Sequence, residues 1–332
     1  MKDEIYFCAD PKFSRLKLKD LSPEKRRAIR DLHSRENLHN LRLVLFLAIY
    51  GIAAYLMWTR DDLLVQIAGS ASIVSAMVGL TVMVHEASHK PLFKSTALNN
   101  FVVMLCGLPI LLPVSAFRTN HKGHHARRSS KVDPDEVAFP RLERLRSRSA
   151  YFVAFLAKAS AFITVLPVSS VIRSDGRTRV QTMAEYTSLA AFLASLFWLV
   201  PLAAMWKLWL LPLLITAIFT QLRAIAEHGA TTRGDVFTAT RTIVSNRFLS
   251  FMMCNINYHL EHHLFPAVPW YNLPRIHQLL KDEYRRAGCS VYRSYTEFFR
   301  DFFKAFRSGL VPNTRLIAHE FREEACGQPA GQ

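Results

Sequence analysis

Val84-His85-Glu86-Ala87-Ser88-His89-Lys90 sets two histidines four residues apart, with a glutamate after the first, directly behind a long apolar run. Taken alone, H-E-x-x-H is the helical signature of zinc proteases, in which the histidines hold the metal and the glutamate acts as general base. The chain repeats the theme twice. His121, His124 and His125 stand in HKGHH, and His259, His262 and His263 stand in HLEHH, out of thirteen histidines in all. Positions i, i+3 and i+4 of a helix share one face, so each group offers its imidazoles to a single point. A catalytic zinc takes three protein ligands and a water, which leaves two of the groups unused. Eight convergent neutral imidazoles are enough for two metal ions with open positions, and imidazole suits iron, zinc, copper and nickel alike.

The elements that must position these groups are apolar. Half of the 332 residues are hydrophobic and 20% are charged, the balance of a polytopic membrane protein. Residues 41–59 and 63–84 are each long enough to cross a hydrocarbon core of about 30 Å as a helix. Only Arg60-Asp61-Asp62 separates them, so they read as a tight antiparallel hairpin. A second pair is expected at 186–204 and 208–224, with Trp206-Lys207 at the turn, where both side chains suit the membrane interface. The apolar stretches 101–117 and about 150–170 are broken by Pro109, Pro113 and Pro167. These prolines, and the need for His85 and His121 to share a side, favour a re-entrant hairpin or interfacial helices.

Basic residues crowd the segment before the first span, against one Arg and one Lys in the two short turns. By the positive-inside rule both termini, the 85–185 connection and the histidine groups are expected to be cytosolic. The first forty residues hold no secretory signal. The expected fold is an all-α integral membrane protein: four transmembrane helices in two hairpins, with a cytosolic helical cap carrying the histidines. Its expected parts are a basic N-terminal segment (1–40), a membrane domain (41–280) and a cytosolic C-terminal helical segment and tail (281–332), disordered after about Gly327. Five scattered cysteines without a C-x-x-C pair argue against a disulfide framework or a thiolate metal site. The net charge of +16 comes without an aromatic-interleaved basic domain, so nucleic-acid binding is not expected.

H-x-x-x-H followed by two H-x-x-H-H boxes, with apolar hairpins before the first and between the second and third, resembles the membrane-bound fatty acid desaturase superfamily. The likeness covers about residues 40–280 and includes VDPDE after the second box and NINYHLEHHLFPAVPWYNLPRIH around the third. The resemblance implies a di-iron centre that activates O2 and abstracts hydrogen from an unactivated C–H bond of a lipid or acyl substrate. It implies His85, His89, His121, His124, His125, His259, His262 and His263 as iron ligands, with His228 in RAIAEHGA as a ninth. Such chemistry needs a redox metal beyond any side-chain acid or base. It also needs two electrons per turnover. The chain has no segment for flavin, haem or an iron–sulfur cluster, so a separate donor of ferredoxin, rubredoxin or cytochrome b5 type is expected, steered by a basic face.

Other residues leave two readings open. Glu86 and Glu261, inside boxes, either fix an imidazole tautomer or are solvated helix charges. Asn255 and Asn257 precede the third box, and Asn255, one helical turn before His259, either holds a water at the metal or bonds backbone near a helix start. Glu227 is an alternative partner that would make His228 structural. His33, His39, His277 and His319 read as structural or solvated. The activity reads as desaturation of an acyl-lipid or acyl-thioester, with a di-iron hydroxylase or ketolase of a lipid, carotenoid or other apolar substrate as the alternative and an intramembrane zinc protease as the remote one. A metal transporter would need ionisable residues within the spans, and 43–59, 63–84 and 187–204 hold none.

Overall fold

The computed structural model describes residues 18–34, 36–89, 92, 93, 95–127, 171, 172, 175–229 and 236–307. The stretch expected at 150–170, the VDPDE run, His319 and the C-terminal tail lie outside them. The described chain is mostly helical and divides into two compact units, interleaved in sequence: residues 36–122 and 171–221 belong to one, and the remaining described residues to the other.

In the first unit, α2 (Leu41–Thr59) and α3 (Leu63–His89) form the expected hairpin. α2 is preceded by α1 (Pro23–Asp31) of the other unit. Asp62 caps α3 by accepting from the Val65 N–H at 3.0 Å, and the Gln66 amide donates to the Met57 and Arg60 carbonyls across the turn. The helices close on small residues. A Cβ at Gly79 would lie 2.3 Å from the buried Phe46 ring, so only glycine lets the two approach. α3 runs five residues past the expected end at 84, because nothing in His85–His89 breaks a helix. Its 27 residues span about 40 Å at 1.5 Å per residue, more than the roughly 30 Å of a hydrocarbon core. His85 and His89 therefore ride on the last turns of the helix.

An elbow follows. α4 (Thr96–Gly107) and α5 (Val114–Arg127) are joined through a 3₁₀ turn at Leu108–Ile110, and the arms bend by 92°. Leu111 takes the left-handed conformation at φ 53°, and Pro113 precedes the new helix. The Leu112 N–H returns to the Gly107 carbonyl at 2.9 Å. A Cβ at Gly107 would meet the Leu112 carbonyl oxygen at 2.3 Å, so the elbow needs glycine there.

The second hairpin differs from expectation. α6 (Gly176–Leu199) starts on Asp175, whose carboxylate accepts from the Thr178 N–H at 2.8 Å, and it stops at Val200, held extended before Pro201. A residue before proline is driven out of the α region, so the break falls here and not at Trp206-Lys207. Those two residues instead lie inside α7 (Leu202–His228), in a π turn at Trp206–Leu210. Pro212 explains the widening: it has no N–H for the Leu208 carbonyl and its ring clashes there. The Leu211 N–H reaches back to Trp206, and the Tyr50 hydroxyl donates to the Leu208 carbonyl at 3.2 Å. Among the described residues, three helices are long and apolar enough to cross a membrane (Leu38–Thr59, Leu63–His89, Leu202–His228), or four if the elbow counts as one span. α6 is not among them. Its apolar part, Tyr186 to Leu199, covers only about 20 Å before Pro201 ends it.

The other unit packs short elements around an apolar core. After α7 come α8 (Val236–Ala239), β1 (Thr242–Ile243), α9 (Arg247–Met252), α10 (His259–Leu264), α11 (Leu273–Leu279), α12 (Lys281–Ala287), β2 (Val291–Tyr292) and α13 (Tyr295–Arg307). The two strands pair in parallel, Thr242 with Val291 and Ile243 with Tyr292, a detail outside the all-α expectation. Leu260 and Leu264 of α10 are buried with Phe265, Ile276, Leu280, Tyr284 and Ile29 of α1. The Lys25 ammonium donates to both Glu283 oxygens at 2.7 and 2.9 Å, tying α1 to α12.

Candidate metal centre

The histidine boxes sit where helices end, and in each unit they converge. In the first unit His85 and His89 project from the last turns of α3, and α5 brings His121 against them. Nε2 of His89 lies 2.7 Å from Nε2 of His121, and the His85 and His121 ring centroids are 4.3 Å apart. Phe117, one turn before His121, stacks on its ring at 5.1 Å with an interplanar angle of 10°. Arg118 donates to the Ala87 carbonyl at 3.3 Å and so fastens α5 to the end of α3. The α6 carboxylate of Glu185 accepts from the Ser115 N–H at 2.8 Å and its hydroxyl at 2.7 Å, which caps the first turn of α5. Glu86 is buried, with Oε1 3.6 Å from His85 Nδ1.

In the second unit α5 contributes His124 and His125, α7 ends on His228, and α10 presents His259, His262 and His263. Nε2 of His259 lies 2.7 Å from that of His228 and 3.1 Å from that of His263, and Nε2 of His262 lies 3.2 Å from that of His125. The nitrogens of His124, His228 and His263 form one compact group, and His228 and His259 with Glu227 form another; within each, all ligand atoms are within 4.8 Å. Metal–imidazole bonds of about 2.0–2.1 Å put neighbouring ligand nitrogens roughly 3 Å apart, the spacing found here, so this donor set fits metal. The burial of His124, His125, His259, His262 and His263 keeps bulk water from the nitrogens.

Carboxylates hold the imidazoles from behind. Glu227, buried on α7, accepts two hydrogen bonds from Arg223 at 2.9 Å and has Oε2 3.5 Å from His259 Nδ1. Glu261 occupies the face of α10 opposite the three histidines, about 200° round the helix from His259. It is fully buried; Oε2 accepts from the Thr242 hydroxyl at 2.5 Å and Oε1 from His277 Nδ1 at 2.6 Å. So Glu261 is no solvated charge, and His277, read as structural or solvated, is buried in this network. Arg223, Thr242 and His277 were not singled out for the site. The i, i+4 spacing of Arg223 and Glu227 beside His228 was the one available signal.

The asparagines behave differently from the expected helical placement. Residues 253–257 are turn, because α10 begins only at His259, so Asn255 is not one helical turn before it. Asn255 has φ 54°, and its carbonyl accepts from the Tyr258 N–H at 3.0 Å. Asn257 is buried and donates to the Ile243 and Val244 carbonyls at 2.7 and 3.0 Å, a loop tie to β1. His33 sits by the Ile29 carbonyl at 2.8 Å at the end of α1, and His39 pairs with exposed Glu36 at 3.3 Å. Cys106, Cys254 and Cys289 are buried. Lys207 lies 3.8 Å from Asp61 in the turn between α2 and α3.

A family model described as fatty acid desaturase matches residues 62–295. The chain is 24% identical over 300 residues to the sn-1 acyl-lipid omega-3 desaturase (ferredoxin) of Synechocystis, covering 81% of this chain and 80% of that protein. It is 30% identical over 232 residues to the sphingolipid delta(4)-desaturase DES1 of Drosophila melanogaster, covering 67% and 68%. It is 26% identical over 253 residues to the human sphingolipid delta(4)-desaturase/C4-monooxygenase DES2, covering 71% of each.

Proposed function

We propose, from the premise that the chain belongs to the fatty acid desaturase family, that it is an integral membrane, O2-dependent oxidoreductase that places a double bond in a fatty acyl or sphingolipid chain. The observation that carries this reading is the convergence of the imidazole nitrogens, 2.7–3.2 Å apart in four pairs. His85, His89 and His121 would hold metal in one unit, and His124, His125, His228, His259, His262 and His263 in the other. Two iron ions, when bound, would supply the O2-dependent oxidation of an unactivated C–H bond.

The chain's own residues would do the rest. Glu227 and Arg223 orient His259, Glu261 and His277 fix the roll of α10, and Glu86 stands behind His85. Carboxylates in this position set the imidazole tautomer and raise its basicity. The basic N-terminal segment supports a cytosolic placement of both termini and the boxes. Electrons would come from a separate donor. The Synechocystis relative is named for ferredoxin, which favours a ferredoxin-type donor here. A second reading, hydroxylation at the same centre, draws support from the human relative, which is named both desaturase and C4-monooxygenase.

The test is metal content per detergent-purified chain, with products assayed after reconstitution with a donor and O2. Two irons and an unsaturated product are expected, with both lost in His262→Ala while the protein still inserts. A single zinc that survives His124→Ala would return the chain to the H-E-x-x-H reading.

A further inference from the structure

The last described helix, α13, carries five phenylalanines, and they are not used alike: Phe298 and Phe302 lie in the core, Phe299 packs against it and Phe303 is largely exposed. At about 100° per residue, Phe298 and Phe302 fall within about 40° of each other, Phe299 and Phe303 follow at about 100° and 140°, and Arg300 and Lys304 at about 200° and 240°. Phe298 and Phe302 are buried with Ala226, Ile243 and Tyr292. Phe303, stacked on Phe299 at 6.0 Å, is 51% exposed; Arg300 and Lys304 beyond it are exposed, and Asp301, at about 300°, lies 3.1 Å from Arg300. The helix thus has three sectors: core, exposed apolar flank and charged face.

Two further observations say what covers the flank. The first is depth. From Leu208 to Leu222 α7 has no ionisable residue, a length of about 22 Å, and Arg223 ends that run. α13 packs on Ala226 and Ile225, about 5 Å beyond Arg223 along the axis, the level at which headgroups would lie if α7 spans. The second is a neighbouring helix with the same design. α9 exposes Phe248 by 64% beside exposed Arg247, and it adjoins α13 through the Tyr295 hydroxyl, 3.5 Å from Met253 Sδ just after α9. Phenylalanine flanked by cations at headgroup depth is the composition of an interfacial helix on an anionic leaflet.

We propose that α13 and α9 form a monotopic anchor, with Phe303 and Phe248 in the acyl boundary and Arg300 and Lys304 among anionic headgroups. This rests on α7 as a span and on nothing in the assignment of the metal. The experiment places nitroxide labels at Phe303→Cys, Phe248→Cys, Arg300→Cys and Leu214→Cys, each in a Cys8→Ser, Cys326→Ser background of the full chain. The protein is held in phosphatidylcholine vesicles containing phosphatidylglycerol. Collision with O2, which partitions into lipid, is compared with collision with a water-soluble nickel chelate. The O2-to-nickel ratio is expected to be several-fold higher at Phe303 and Phe248 than at Arg300, and highest at Leu214, half-exposed on α7. Nickel-dominated labels at 303 and 248 with Leu214 in lipid overturn the anchor alone. Shielding of 303 from both reagents means that protein covers the flank, which also overturns it. Nickel access at Leu214 removes the spanning premise itself.

Discussion

Replacing Glu261 by alanine tests how far the third box depends on groups behind it. The carboxylate is fully buried and accepts from the Thr242 hydroxyl at 2.5 Å and from His277 Nδ1 at 2.6 Å. Its removal leaves two buried polar groups to find other partners, at about 1–3 kcal/mol each, so roughly 4 kcal/mol in all. That is a large share of a total stability of about 5–15 kcal/mol. At roughly 2–4 °C per kcal/mol, the midpoint of thermal unfolding should fall by about 10 °C. Glu261→Gln keeps the volume and can accept from one partner while donating to the other, so its cost is held to about 1–2 kcal/mol. Because α10 carries His259, His262 and His263 on the opposite face, both variants should also purify with less bound metal, alanine with the less of the two. The assay pairs a thermal melt with metal analysis on the same preparation. A Glu261→Ala protein within about 1 kcal/mol of wild type, with as much bound metal as wild type, would refute the role of the network.

Three further outcomes are expected. Gly79→Ala drives a methyl into the Phe46 ring and should cost about 1–3 kcal/mol, with much of it recovered in the Gly79→Ala, Phe46→Leu double variant; equal melts for the two show that the hairpin does not close there. Burial alone would raise the Glu283 carboxyl, but the hydrogen bonds and charge of Lys25, with Arg286 beside it, bring it below the usual carboxylate range. Its stabilising contribution is therefore present above the unfolded-state value near 4.3 and is lost as pH falls through the lower folded value, so the melting difference between wild type and Glu283→Gln should shrink from neutral pH to about pH 3. Arg223→Gln loosens the Glu227 carboxylate behind His259 and should lower metal occupancy while leaving His85 and His89 of the other unit folded, a result read by metal analysis and by limited proteolysis.

What could be read in the chain was local. Ligand spacing on a helix is decided within one turn, so the three boxes were visible as residue patterns, and Pro109 and Pro113 marked the elbow that brings His121 to His89. The second hairpin was misplaced because apolarity runs unbroken across Pro201, and Trp206-Lys207 looked more like a turn than a proline in mid-run did. The carboxylates behind the histidines were ambiguous for the opposite reason: Glu261 finds Thr242 and His277 at separations of 19 and 16 residues, across elements whose packing no short window encodes. The parallel pairing of β1 with β2 is longer in range still, and two residues carry no periodicity to announce it.

The π turn at Trp206–Leu210 has a consequence for the phase of α7. A wide turn accommodates one residue more than an α turn, and so sets back everything after it by about 100°. That phase decides which side chains of the following turns face the α2–α3 hairpin: Trp209 and Leu213 are buried with Met57 and Met77, and the Thr216 hydroxyl lies 3.7 Å from Met77 Sδ. A chain with one residue fewer between 206 and 210 would keep every apolar stretch, yet turn Leu213 and Thr216 about 100° away from Met77. Length in this segment, invisible to any tally of hydrophobic positions, is itself part of the packing.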